Sequence, residues 1–138
     1  MLRGASVLLE NSRGCIALQL RDDRPGVGHR DHWGIFSGMV EEGETPDEAA
    51  VREIGEELNV LLDGNKLTFL RSFVDARGLE AFLFHYPVRN ELDDAVLGEG
   101  QKFAFLTAEE IGNGEIEGKN VVPFHLSMLQ WYFTTGKD

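Results

Sequence analysis

The 138-residue chain holds a single cysteine, Cys15, so no internal disulfide is available to it. Cys15 lies in a strand-like run and reads as a small core residue rather than a nucleophile. No stretch approaches the roughly 18 consecutive apolar residues of a membrane-spanning helix. The apolar part of MLRGASVLLEN is too short for a signal peptide, so a cytoplasmic protein is expected. Basic residues are few: 13 Lys and Arg stand against 24 Asp and Glu, a formal net charge of −11. That imbalance argues against binding nucleic-acid polymers or anionic membranes. An anionic substrate would need metal ions and local arginines to approach. There is no internal repeat, low-complexity tract or linker, and one domain over residues 1–138 is expected.

What is abundant is concentrated in residues 38 to 60, GMVEEGETPDEAAVREIGEELNV. Eight carboxylates, Glu41, Glu42, Glu44, Asp47, Glu48, Glu53, Glu56 and Glu57, crowd here around one cation, Arg52. The stretch reads as a loop and then a helix whose start is marked by Thr45 as N-cap, Pro46 at the first position and Glu48 closing a capping box. Helical periodicity puts Ala50, Val51, Ile54 and Leu58 on a core face and Glu53, Glu56 and Glu57 on the next. Asn59, which tolerates the left-handed conformation, stands where the helix should end. Like charges at this spacing cost about 0.2–0.5 kcal/mol per pair even when exposed. Arg52 supplies part of the compensation. A hard divalent cation with oxygen ligands would supply the rest, and Mg²⁺, which keeps several waters and substrate phosphates, fits best. A solvated acidic face is the ordinary meaning of such a run. An EF-hand fails, since no D-x-[DN]-x-[DN]-G loop precedes the glutamates.

Around this stretch, residues 4 to 10 and 15 to 20 read as a strand pair about the turn residues 11–14. Residues 21 to 32, with Pro25 and two glycines among charges, form a loop ahead of a short strand from Trp33 to Phe36. Arg21 and Arg24 are the basic groups in that loop suited to meet a phosphate, because a planar guanidinium matches phosphate oxygens. Simple solvation is the alternative for each. His29 and His32 read as surface residues. Residues 66 to 74 and 79 to 88 form a hairpin about Asp75-Ala76-Arg77-Gly78, and their aromatics Phe69, Phe73, Phe82, Phe84 and Tyr86 are most simply core. An acidic loop, 89 to 101, precedes a strand at 102 to 106. Thr107 with Glu110 closes a second capping box. Residues 121 to 135 have the spacing of a closing helix, with Met128, Trp131 and Tyr132 as packing. This order predicts a mixed sheet with helices on both faces.

The pattern of residues 38 to 60 resembles the signature box of the Nudix hydrolases: Gly38, five residues, Glu44, seven residues, Arg52-Glu53, apolar Ile54, one residue, Glu56-Glu57, and apolar Val60. Every fixed position matches except the last glycine, which is Asn59. The resemblance extends to Trp33 and to Glu99-Gly100-Gln101 and is architectural elsewhere. It implies a Nudix-type α/β/α sandwich with a mixed β-sheet, in a small single-domain MutT-like protein. It also implies Mg²⁺-dependent hydrolysis of a diphosphate linkage in a nucleoside triphosphate or other nucleoside diphosphate derivative, with Mn²⁺ as an alternative metal. Gly38 through its carbonyl, Glu53, Glu56 and Glu57 would be the metal ligands. Arg52 would orient the carboxylates and Glu44 would support it. The general base is Glu53 in the first instance, then Glu99, with Glu57 behind them. The implied partner is a small phosphoanhydride, and a homodimer is compatible with the pattern. Two departures are Ser37 within Phe36-Ser37-Gly38, where many relatives have Pro-Gly-Gly, and Asn59. Markers of the ADP-ribose, dinucleoside polyphosphate and NADH hydrolases are missing, so the substrate is left open. The readings from other classes are a nucleotide-sensing Nudix module without turnover and a structural acidic protein.

Overall fold

The computed structural model describes residues 2–137. Six strands form one mixed sheet: β1 (Arg3–Glu10), β2 (Ile16–Leu20), β3 (Trp33–Met39), β4 (Thr68–Val74), β5 (Glu80–Pro87) and β6 (Lys102–Leu106), in the order β4-β5-β1-β3-β2-β6. β1 runs parallel to β5, and the other pairs are antiparallel. β1 is buried from Gly4 to Glu10, consistent with an apolar run on both faces of a covered sheet. Its alternation sorts the two cores. Ala5, Val7 and Leu9 pack under the helix α1 (Pro46–Leu58) against Ala49, Ala50, Ile54 and Leu58. Leu8 joins the opposite core with Met128 and Leu129 of the helix α3 (Pro123–Trp131). This is the α/β arrangement expected, with helices on both faces.

Three local expectations change. The strand pair of β1 and β2 touches only at Glu10↔Ile16, because β3 lies between them. β3 pairs with β1 through residues 36–39 and with β2 through residues 33–35. Beyond that split the start of α3 and the residue before it take over: Val122 N–H donates to Trp33 O at 2.8 Å, and Ile35 N–H to His125 Nδ1 at 3.0 Å. Phe69 leaves the expected core. It is 51% exposed beside a register shift in the β4–β5 pairing between Phe69 and Arg71, its ring against Phe82 and Phe84. On α1, Ala49 is fully buried and Val51 only half-buried, so the core face is rotated slightly from the expected one.

The second capping box forms as read: Thr107 caps the short α2 (Ala108–Ile111), followed by a two-stranded hairpin, β7 (Glu115–Ile116) and β8 (Lys119–Asn120). The closing helix continues past Trp131 as a π-helical turn, Tyr132–Gly136. That turn is tied to β1 through the buried Glu10 carboxylate, which accepts from Lys137 Nζ at 2.8 Å and from Tyr132 Oη, and pairs with His85 Nε2 at 2.8 Å. A buried carboxylate is tolerable only with such partners.

Candidate active site

The helix α1 begins as its sequence dictates. Glu48 N–H donates to Thr45 Oγ1 at 3.3 Å, and Thr45 N–H donates to Glu48 Oε1 at 2.8 Å. Asn59 ends it in the left-handed region, φ 54° and ψ 40°, its N–H donating to Gly55 O. The last turn carries no basic residue. Its carbonyls are met instead by the 89–101 loop: Val96 N–H donates to Leu58 O at 3.0 Å and Gly98 N–H to Glu57 O at 2.7 Å. A helix C-terminus leaves orphan carbonyls, and here their partners bring Glu99 alongside.

Arg52 organises the acidic loop. Its Nε and Nη2 donate to the two oxygens of Glu44 at 2.7 and 3.1 Å, and Nη2 also donates to Met39 O at 2.8 Å. Nη1 donates to Glu53 Oε1 at 2.9 Å and Glu56 Oε2 at 3.1 Å. The hydrogen bonds from Arg52 hold the Glu44 carboxyl below its ordinary range, and the same contacts raise the Arg52 pKa, so the guanidinium stays charged. Two-point pairing of this kind fixes orientation as well as charge.

The three carboxylates among the expected metal ligands differ in setting. Glu53 and Glu57 are half-buried and Glu56 is exposed. Burial pushes the Glu53 carboxyl up, and the neighbouring Glu56 and Glu41 charges add to this. Burial also pushes Glu57 up, with the Glu99 charge second. The backbone of Gly38 lies directly against Glu53: a Cβ at Gly38 would fall 1.9 Å from the Glu53 carboxyl carbon. Among the described residues, no three His, Cys, Asp or Glu side chains stand close enough to hold a metal ion. Glu53 and Glu56 turn to Arg52, while Glu57 turns to Gln19, whose Nε2 lies 3.5 Å from Glu57 Oε2. The donor set still fits a hard divalent cation. It is all oxygen, with three carboxylates on one helix beside the Gly38 backbone of β3, and two of those carboxylates are half-buried, where a counter-charge is favoured.

Of the loop arginines, Arg21 is half-buried and turns back onto its own loop. Its Nε donates to Gly28 O at 2.6 Å, and its charge acts on Glu57. Arg24 is 65% exposed and pairs with Asp22 at 3.5 Å. Ser37 lies on the face of β3 opposite to Gly38, its Oγ donating to Ile35 O at 3.1 Å, so this departure leaves the Gly38–Glu53 contact clear. Two residues escaped the sequence reading. Gln19 was visible only as a polar residue in an apolar strand. His125, half-buried in the first turn of α3, has its pKa lowered to about 4, chiefly by desolvation.

A helix carrying this glutamate set, locked by Arg52–Glu44 and packed against Gly38, is matched by the NUDIX domain family model over residues 1–132. The chain belongs to the Nudix family. Nudix hydrolases generally use divalent metals. The chain is 34% identical over 64 residues to dihydroneopterin triphosphate diphosphatase of Escherichia coli K12, a match covering 46% of this chain and 39% of that protein. It thus spans about two fifths of that relative's length. The fold is that of a MutT protein from Methanosarcina mazei Go1, with a TM-score of 0.77, 17% identity and coverage of 99% of this chain and 96% of that one. It is also that of the NUDIX domain of Shewanella oneidensis NrtR complexed with ADP ribose, with a TM-score of 0.70, 14% identity and coverage of 94% and 84%. Among the described residues, no helix is long and apolar enough to cross a membrane.

Proposed function

We propose that this Nudix chain is a Mg²⁺-dependent pyrophosphohydrolase that cleaves a diphosphate linkage in a nucleoside triphosphate or another nucleoside diphosphate derivative. The observation that carries the reading is the packing of the Glu53 carboxylate onto the Gly38 backbone with Arg52 at its other side. Glu53, Glu56, Glu57 and the Gly38 carbonyl would hold Mg²⁺, or Mn²⁺ in its place. A bound divalent ion supplies charge stabilisation on phosphate oxygens and a more acidic water. The chain's own groups do the positioning. Arg52 and Glu44 fix the Glu53 side chain, and Arg21, close enough for its charge to act on Glu57, meets a substrate phosphate. Glu53 serves as general base, held by Arg52 against the Gly38 backbone at the centre of the glutamate set. Glu99, whose charge reaches Glu57, is the second choice for that role. The names of the E. coli relative and of the ADP-ribose-bound neighbour are consistent with a nucleotide-like diphosphate as substrate.

A panel of nucleoside triphosphates and diphosphate derivatives, assayed with Mg²⁺ in ¹⁸O-water beside Glu53→Gln, tests this. The expected result is cleavage at a diphosphate linkage, ¹⁸O in one product, and a loss on the order of 10²-fold or more in the variant. Ligands that raise the melting temperature without any cleavage in Mg²⁺ or Mn²⁺ would establish a binding module instead. Near-full turnover by Glu53→Gln would move the base to Glu99.

A further inference from the structure

β2 is buried along its whole length, and its alternation is strict. Ile16, Leu18 and Leu20 enter the core beneath α3, while Ala17 enters the core beneath α1. Gln19 therefore projects to the α1 side, 9% exposed, as the one polar side chain of the strand. A buried primary amide needs partners. Both contacts of Gln19 belong to the catalytic end of the helix: Nε2 donates to the Glu99 carbonyl and lies 3.5 Å from Glu57 Oε2. The orientation of the amide follows from chemistry. Both neighbours are acceptors only, so the NH₂ group must face them and the amide oxygen must face away.

The chain then passes directly over this amide. A Cβ at Gly100 would fall 2.5 Å from Gln19 Nε2, and Gly100 has φ +96°, so only glycine lets the loop make this crossing unstrained. Just beyond, Gln101 N–H donates to Leu20 O at 2.8 Å, and its side chain donates to Arg21 O at 2.9 Å and Asp31 Oδ1 at 2.8 Å. The 98–101 loop is thus stitched to β2 and to the 21–32 loop, with Gln19 at the point where it meets Glu57.

We propose that Gln19 is a positioning residue of the site, tying Glu57 to the loop that carries Glu99 and so holding two mutually repelling carboxylates on the same side of α1. This rests on the hydrolase reading for its effect on turnover, but not for its effect on metal binding. Two N–H donors aimed at two acceptors do what an apolar residue of the same volume cannot. Groups that hold metal ligands in place typically change metal affinity or activity by about 10–100-fold when lost.

The test measures Gln19→Leu and Gln19→Met against the unaltered chain, with folding checked by circular dichroism. Mn²⁺ affinity is read by electron paramagnetic resonance without substrate, kcat and KM are read separately, and amide exchange is followed across residues 98–101. Expected are Mn²⁺ binding weakened about tenfold, kcat lowered about 10–100-fold with KM within threefold, and faster exchange at Gly100 and Gln101. Either variant folding with unchanged Mn²⁺ affinity and unchanged kcat overturns the proposal, even if its melting temperature falls. If the unaltered chain hydrolyses nothing, the hydrolase reading fails alone, and the Mn²⁺ and exchange results still decide the role of Gln19.

Discussion

Gly38 and Glu53 occupy one space: the methyl group that any other residue would carry at position 38 falls 1.9 Å from the Glu53 carboxyl carbon. A β-strand residue and a helix residue 15 positions apart are thereby brought into backbone-to-carboxylate contact, which is the reason for a glycine at the end of β3.

Gly38→Ala is expected to expel the Glu53 carboxylate from its place between Gly38 and Arg52. Because a flexible side chain can swing away, the stability cost should be modest, about 1–3 kcal/mol as for other small-to-large changes. Activity should fall on the order of 10²-fold. Urea denaturation alongside kcat/KM separates the two, and an alanine variant of normal activity would show that Glu53 has no fixed role.

Arg52→Lys keeps the charge but loses the fork that meets both oxygens of Glu44, Glu53 and Met39 O at once. Turnover should drop about tenfold or more, as for loss of other groups that orient ligands. The melting temperature should fall as well. Wild-type kcat in the lysine variant would mean that only the charge matters.

Asn59 closes α1 with φ 54° in place of the family's glycine. Asn59→Gly should leave stability within about 0.5 kcal/mol and kcat unchanged, whereas Asn59→Val should cost about 1–2 kcal/mol through the left-handed strain of a β-branched residue. A valine variant as stable as the parent would contradict the observed cap.

His125 is held neutral in the fold, its pKa lowered to about 4 from 6.5. The unfolded chain takes up this proton below about pH 6.5 and the folded chain only below about pH 4. Its contribution is therefore fully present above pH 6.5, is lost as pH falls toward 4, and is constant below. The size is on the order of 3 kcal/mol. Glu53 and Glu57, whose pKa values are raised, act in the opposite sense as pH falls. The comparison with His125→Gln, whose amide oxygen can still accept from Ile35 N–H, isolates the histidine. Unfolding free energies at pH 7.5 and pH 4.5 should fall further for the parent than for the variant. Equal losses would refute the assignment.

The helix and its caps were legible because their causes are local. Thr45, Pro46 and Glu48 lie within one turn, and Asn59 needs only its own dihedral angles and the carbonyl of Gly55. The glutamate spacing was equally legible, since helical geometry alone places Glu53, Glu56 and Glu57 on neighbouring faces. Periodicity also separated strands from helices, but not which strands meet. That β3 lies between β1 and β2, and that Phe69 stands half exposed at a register shift, depends on pairing across the sheet.

The amino-acid order by itself therefore determined the family, the capped helix α1 and the residue types on its acidic face. Only the tertiary structure decided which of those carboxylates are half-buried and what holds them. Gln19 meets Glu99 across 80 positions and His125 meets Ile35 across 90. Contacts at such separations leave no periodic trace in the chain, because they are set by the order of strands and the crossing of loops rather than by the repeat of a helix or a strand.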